Sequence, residues 1–112
     1  MEKLKFIKAI YIESSTCTHQ GNKDSMQELL KNGYHIAQRR SKYYVLVKPA
    51  RITVVFQDST GNLFKRNMKQ NILDFYNSKK ISKSLFEQFY NEATNGNIIF
   101  YLNDGVVDLC KP

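Results

Sequence analysis

The stretch Arg51-Ile-Thr-Val-Val-Phe-Gln57, followed by Asp58-Ser-Thr-Gly61 and then by Asn62-Leu-Phe-Lys-Arg-Asn67, reads as two β-strands joined by a turn. β-Branched and aromatic residues fill the first run, and Asp, Ser, Thr and Gly supply the turn chemistry. The spacing predicts that Asn62 to Asn67 folds back on Ile52 to Phe56 as a hairpin. Upstream, Tyr34-His-Ile-Ala-Gln and Tyr43 to Lys48 read as two further strands. Pro49 interrupts the step into Arg51, because proline cannot donate a ladder hydrogen bond. Together these runs predict a meander.

Working outward, Lys3-Leu4-Lys5-Phe6 alternates polar and apolar at period two and Ile7 to Ile12 continues as a β-rich run, so residues 3–13 read as a strand, central in its sheet. Ser14 to Asn22 is polar and turn-like. Ser25 and Glu28 have the spacing of a capping box, after which Met26, Leu29 and Leu30 define a short helix and Gly33 its left-handed end. Met68, Ile72 and Tyr76 recur every four residues and predict a second helix. Ser84 and Glu87 form another capping box, opening a third helix whose apolar stripe is Leu85, Phe86, Phe89, Tyr90 and Ala93 and whose stop is Gly96. Ile98 to Leu102, the turn dipeptide Asp104-Gly105 and Val106 to Leu109 close the chain as a hairpin. The expectation is one α+β domain over residues 1–112, a mostly antiparallel sheet or small pseudo-barrel with about three short helices.

At 112 residues, with 42% apolar residues, seven Phe and seven Tyr, the chain can bury a core without staples. No apolar run approaches the roughly 20 residues that span a bilayer, and the start lacks the apolar stretch of a secretory signal, so no membrane partner and a cytoplasmic location are expected. Cys17 and Cys110 are then expected to remain thiols.

Residues that enzymes require are scarce. Cys17-Thr-His19 offers two metal ligands where a structural zinc site uses four, and as a thiol–imidazole pair it has no third orienting group in sequence. The glycines at 21, 33, 61, 96 and 105 stand singly, unlike a phosphate-cradling loop. Glu87 with Glu92, and Asp104 with Asp108, fit solvated surfaces better than a general acid/base pair. No catalytic residue, metal or cofactor is assigned.

Charge is the feature that departs from an ordinary surface. Residues 29–86 hold twelve Lys/Arg against Asp58 and Asp74, within a chain of net charge +7. Polyanion binding needs cations, and single-stranded targets need aromatic faces for stacking. Arg39-Arg40-Ser-Lys42-Tyr43-Tyr44 joins both, and Lys48, Arg51, Lys65 and Arg66 lie on or beside adjacent predicted strands. If Tyr43, Val45 and Val47 face the core, alternation sends Tyr44 outward as the stacking residue. The opposing reading is that such cations merely solvate turns and that strand aromatics are core. Lys79, Lys80 and Lys83 precede the third helix, where positive charge opposes the helix dipole and favours an anionic partner.

In size, mixed α+β pattern and basic surface, with a strand, a helix and then several strands, the chain resembles the small regulators with a PUA-like RNA-binding fold carried by Gram-positive conjugative plasmids. That resemblance implies binding of messenger RNA through a positively charged face of a β pseudo-barrel. The alternative is a phage- or plasmid-encoded inhibitor or assembly factor engaging an acidic protein, with strand Tyr43 to Lys48 as an edge for strand addition.

Overall fold

The computed structural model describes residues 1–112, which form eight strands and three α-helices in two compact units. One unit comprises Met1–Ile12 and Arg51–Pro112, and the other Glu13–Ala50. All strand pairing is antiparallel. The α+β class with antiparallel sheets and three short helices is therefore the observed one.

In the first unit, β1 (Glu2–Ile12), β5 (Arg51–Gln57), β6 (Leu63–Asn67), β7 (Ile99–Asn103) and β8 (Val106–Cys110) make one sheet in the order β6-β5-β1-β7-β8, which curls into half a barrel. β1 is central, pairing with β7 through Glu2 to Leu4 and with β5 from Lys5 to Ile12. The expected hairpin of β5 and β6 forms, with pairing that runs from Gln57 opposite Leu63 to Thr53 opposite Asn67. Its turn is held by the Asp58 carboxylate, which accepts from the Thr60 backbone N–H at 3.0 Å, the Thr60 hydroxyl at 2.7 Å and the Asn62 N–H at 2.9 Å. Asp104 (φ 51°) and Gly105 (φ 78°) close the β7–β8 hairpin in the left-handed conformation that a two-residue type I′ turn demands.

A bulge at Ile7 governs the two faces of β1. Phe6 lies opposite Phe56 and Lys8 opposite Val55, so Ile7 is an extra residue. Without it, strict alternation would carry Lys8 to the face of Leu4 and Phe6; with it, Ala9 and Tyr11 take that face and Lys8 stays outside. Helices α2 (Lys69–Tyr76) and α3 (Lys83–Thr94) pack on the Leu4–Phe6 face. Phe6 meets Phe89 and Tyr90 of α3 edge-to-face and stacks near Phe100, while Tyr11 meets Phe86. Phe56, Phe89, Phe100, Ile52, Val54 and Ile72 are essentially inaccessible to water. Each contributes about 1.5–3 kcal/mol, large against a net stability of about 5–15 kcal/mol.

The α3 stripe is as expected, but its cap is not. Ser82, with extended φ/ψ, accepts from the Leu85 N–H at 3.2 Å, so the helix begins one residue before Ser84 and the Ser84–Glu87 pair lies within the helix. Gly96 follows it at φ 76°.

In the second unit, β2 (Ser15–His19), β3 (His35–Arg39) and β4 (Tyr44–Lys48) form a sheet in the order β2-β4-β3. β2 corrects the turn-like reading of Ser14 to Asn22: its polar side chains disguise a strand whose backbone pairs with β4 along its whole length. The meander is also corrected, because β4 and β5 belong to different sheets, separated at Pro49-Ala50. The helical segment begins as a 3-10 turn at Asp24–Met26 and continues as α1 (Gln27–Lys31). Ser25 does not cap it. The Asn22 side-chain oxygen instead accepts from the Ser25 N–H at 2.9 Å, just ahead of the 3-10 turn. Met26 is fully buried, and Gly33 follows α1 at φ 95°.

Candidate nucleic-acid interface

The basic residues singled out in the sequence divide between the units: Arg39, Arg40, Lys42, Tyr44 and Lys48 lie in the second, Arg51, Lys65 and Arg66 in the first.

In the second unit the β3–β4 hairpin gathers most of its set at one tip. Arg39 pairs with Tyr44, and the Arg40 N–H donates to the Tyr43 carbonyl at 2.9 Å, leaving Ser41 and Lys42 at the apex. A bulge between Ile36 and Gln38 puts Arg39 on the face of Tyr44 and Leu46, with His19 of β2 completing the Arg39–Tyr44 row. Arg40 alternates to the opposite face, where its guanidinium donates to the Gln38 side-chain oxygen at 2.9 Å. The two arginines therefore diverge across the ribbon.

Leu46, fully buried, decides which tyrosine is free. Tyr44 shares its face and is half-buried, whereas Tyr43 outside the strand is 38% exposed. The alternation expected to turn Tyr44 outward with Leu46 is reversed, because the bulkiest buried contact on β4 comes from Leu46 and not from the valines. Lys48 is not at the tip. It sits at the far end of β4, about 13 Å along the strand from Tyr44, with its ammonium 5.8 Å from the centre of the Tyr34 ring. Tyr34 is itself hydrogen-bonded to Ser15 at 2.9 Å.

In the first unit, Lys65 and Arg66 alternate on β6. Arg66 lies opposite Val54 on the helix-packed face at the sheet edge, with its guanidinium over the Phe64 ring at 4.9 Å and donating to the Lys65 carbonyl at 2.9 Å. It guards an edge strand, a common use of charge at a sheet margin. Lys65 points to the opposite, open face, and so does Arg51, because Ile52 beside it is buried. Lys3, Lys5 and Lys8 of β1 share that face. Sequence reasoning passed over these three because charge was counted in the middle of the chain. Alternation in Lys3-Leu4-Lys5-Phe6 already put two of them on one side.

Other groups weighed for chemistry have local partners. Cys17 and His19 share a face of β2, and the His19 Nε2 is hydrogen-bonded to the Ser25 hydroxyl at 2.8 Å. Both cysteines are free thiols, Cys17 half-buried and Cys110 exposed. Glu92 accepts a hydrogen bond from the Tyr76 hydroxyl. Burial first, then that hydrogen bond and the Glu92 charge, hold the Tyr76 hydroxyl well above its ordinary pKa. The Asp58 carboxyl is held below its ordinary value, chiefly by the Thr60 hydroxyl. Strand addition at Tyr43 to Lys48 is excluded by topology, since β4 is flanked on both sides. No helix is long and apolar enough to cross a membrane.

Comparison with known proteins gives no match to a family model, to a curated protein or to a solved structure.

Proposed function

We propose that this chain is a non-enzymatic RNA-binding regulator of gene expression, acting in the cytoplasm without a cofactor. The observation that carries the reading is the β3–β4 tip, where Arg39, Arg40 and Lys42 lie within one turn of Tyr43 and Tyr44. The hairpin tip of a three-stranded sheet, with cations on both faces, can follow a phosphate backbone, and the exposed Tyr43 offers base-stacking surface. The resemblance to plasmid-borne regulators with a PUA-like fold agrees with this reading and with messenger RNA as the target.

RNA binding measured across a salt series tests it. The parent should bind RNA with an affinity that falls steeply with salt, and the Arg39→Glu/Arg40→Glu double variant should bind more weakly with a shallower slope. Two lost phosphate contacts on a single strand correspond to a reduction of about 1.4 in the slope of log affinity against log salt. Binding no tighter than that of an unrelated basic protein, together with capture of a stoichiometric acidic protein from extract, would refute the proposal in favour of a protein-interaction module.

A further inference from the structure

Five cations converge on the face of the β6-β5-β1-β7-β8 sheet that α2 and α3 leave uncovered. Register fixes their positions. Lys3 lies beside Tyr101, which in turn lies beside Asp108; Lys5 is followed across the sheet by Gln57 and Leu63; Lys8 by Val55 and Lys65; Ile10 by Thr53 and Asn67; and Ile12 by Arg51. Lys3, Lys5, Lys8 and Lys65 are exposed and Arg51 is half-exposed. The carboxylate among these rows is Asp108, on the margin strand β8. Val55, between Lys8 and Lys65, is the buried residue of this face, and it is apolar, while Leu4, Ile52, Val54, Phe56 and Phe100 occupy the opposite face, so no buried charge lies beneath these cations to be neutralised.

The same face carries one aromatic ring. Phe100 and Leu102 flank Tyr101 on β7 and point to the helices, which turns Tyr101 to the open side between Lys3 and Asp108, half-exposed. Beside that row, Lys3, Lys5, Gln57, Asp58 and Ser59 bound a hollow of about 420 Å³. Asp58 takes little part in it, because its carboxylate already accepts from Thr60 and Asn62. Thr53 adds a hydroxyl, and Gln57 and Asn67 add amides that keep one free polar atom each, since Gln57 donates to the Gly61 carbonyl and Asn67 accepts from the Lys69 N–H; such groups bond base edges.

We propose that this open face is a platform for a single-stranded polynucleotide, with Tyr101 as the stacking residue and Lys3, Lys5, Lys8 and Lys65 along the phosphate path. The proposal rests on the RNA-binding reading and adds the strandedness of the target and a second surface. Lys3 and Lys5 stand about 6.8 Å apart on one extended strand, so a backbone laid along β1 meets a cation at each step. A ring standing on a sheet reaches a base only when that base is unstacked from its neighbours, which a duplex does not permit and a single strand does.

The protein contains no tryptophan, so Tyr101→Trp introduces a single indole reporter at this point. Fluorescence anisotropy with an unstructured 12-nucleotide RNA, the matching DNA strand, the RNA duplex and polyglutamate as probes reads both affinity and strandedness. The expected result is tighter binding of the single strands than of the duplex, with quenching of the Tyr101→Trp emission on saturation. Tyr101→Ala should weaken single-strand binding about 5- to 150-fold, the range that base–aromatic stacking gives. Tyr101→Phe should restore it, and Lys3→Glu/Lys5→Glu should weaken it with a shallower salt slope. Because Tyr101 faces away from the core, thermal melting should confirm that each variant is folded.

Full single-strand affinity in Tyr101→Ala and Lys3→Glu/Lys5→Glu, combined with loss in Arg39→Glu/Arg40→Glu, would overturn this inference and leave the RNA-binding reading standing. Equal affinity for duplex and single strand, or an unquenched indole, would also overturn it. Polyglutamate bound as tightly as RNA would overturn both readings, as would failure of every nucleic-acid probe to bind better than to a control basic protein. Preference for the DNA strand over the RNA strand would overturn the RNA-binding reading on which the platform rests, whereas RNA bound as tightly as the DNA strand, or more so, supports it.

Discussion

Deleting Ile7 should cost less stability than deleting the exposed Lys5, although a side chain with apolar burial is lost in one case and a solvated one in the other. Ile7 is the extra residue of the β1 bulge. Without it, Phe6 and Lys8 become adjacent and face the adjacent Phe56 and Val55, so every pair from Glu2 to Ile12 keeps its partner and its face. The loss is the covered part of one isoleucine that is 39% exposed. At about 1.5–3 kcal/mol for complete burial, that is about 1–2 kcal/mol, offset in part by a continuous ladder. Deleting Lys5 shifts the alternation on one side of the gap. Either Leu4, 4% exposed and opposite Phe100, swings outward, or the bulge is absorbed and Phe6 leaves its contacts with Phe89, Phe100 and Tyr90. Emptying a core site of that kind costs about 2–5 kcal/mol. Urea unfolding of the two deletions and the parent measures the difference, and an unchanged m-value shows that the same surface is being exposed. A Lys5 deletion as stable as the Ile7 deletion, or more so, would show that the bulge does not set the faces of β1.

Three further outcomes follow from local geometry. Ser82→Ala should lower stability by about 0.5–2 kcal/mol through loss of the helix cap, while Ser84→Ala should change it by less than about 0.5 kcal/mol; equal effects in chemical denaturation would restore Ser84 as the cap. Phe89→Ala should cost about 3–5 kcal/mol because the ring is fully buried against Phe6 and Phe100, and Tyr90→Ala, at a site 37% exposed, should cost clearly less by the same assay. The Tyr76 pKa is raised on folding, so its contribution is complete below the unfolded tyrosine value of about 10 and is lost as pH rises through the folded value. Melting temperatures between about pH 9 and 12 should therefore fall more steeply in the parent than in Tyr76→Phe, and parallel curves would exclude this linkage.

Much of the secondary structure was legible because local signals agreed with the fold. The β5–β6 hairpin had β-branched strands and an Asp-Ser-Thr-Gly turn, and Asp104-Gly105 supplied two residues able to take positive φ. The α3 stripe of Leu85, Phe89 and Ala93 had the helical period and is the buried one. What failed locally failed for a competing reason. Ser84 with Glu87 had the capping-box spacing just as Ser25 with Glu28 did, and only backbone geometry placed the α3 cap at Ser82 and left Ser25 without a capping role. β2 carries no apolar alternation because its strand character comes from backbone pairing with β4. Among the candidate site residues, the cluster at Arg39, Arg40, Lys42, Tyr43 and Tyr44 was visible because its members are consecutive. Lys3, Lys5, Lys8 and Tyr101 were not, because a sheet brings together residues nearly a hundred positions apart.

The sequence by itself determined the α+β class, the central place of β1, the closing hairpin and the basic character of the surface. Those properties depend on composition, periodicity and turn chemistry, which act within a few residues. Tertiary structure decided the rest. It assigned β4 and β5 to separate sheets, turned Tyr44 to the face of Leu46, divided the basic residues between two units, and placed the β1 lysines, Lys65 and Tyr101 on one face. Partner choice and register arise from long-range pairing, and one inserted residue such as Ile7 reverses every face that follows it.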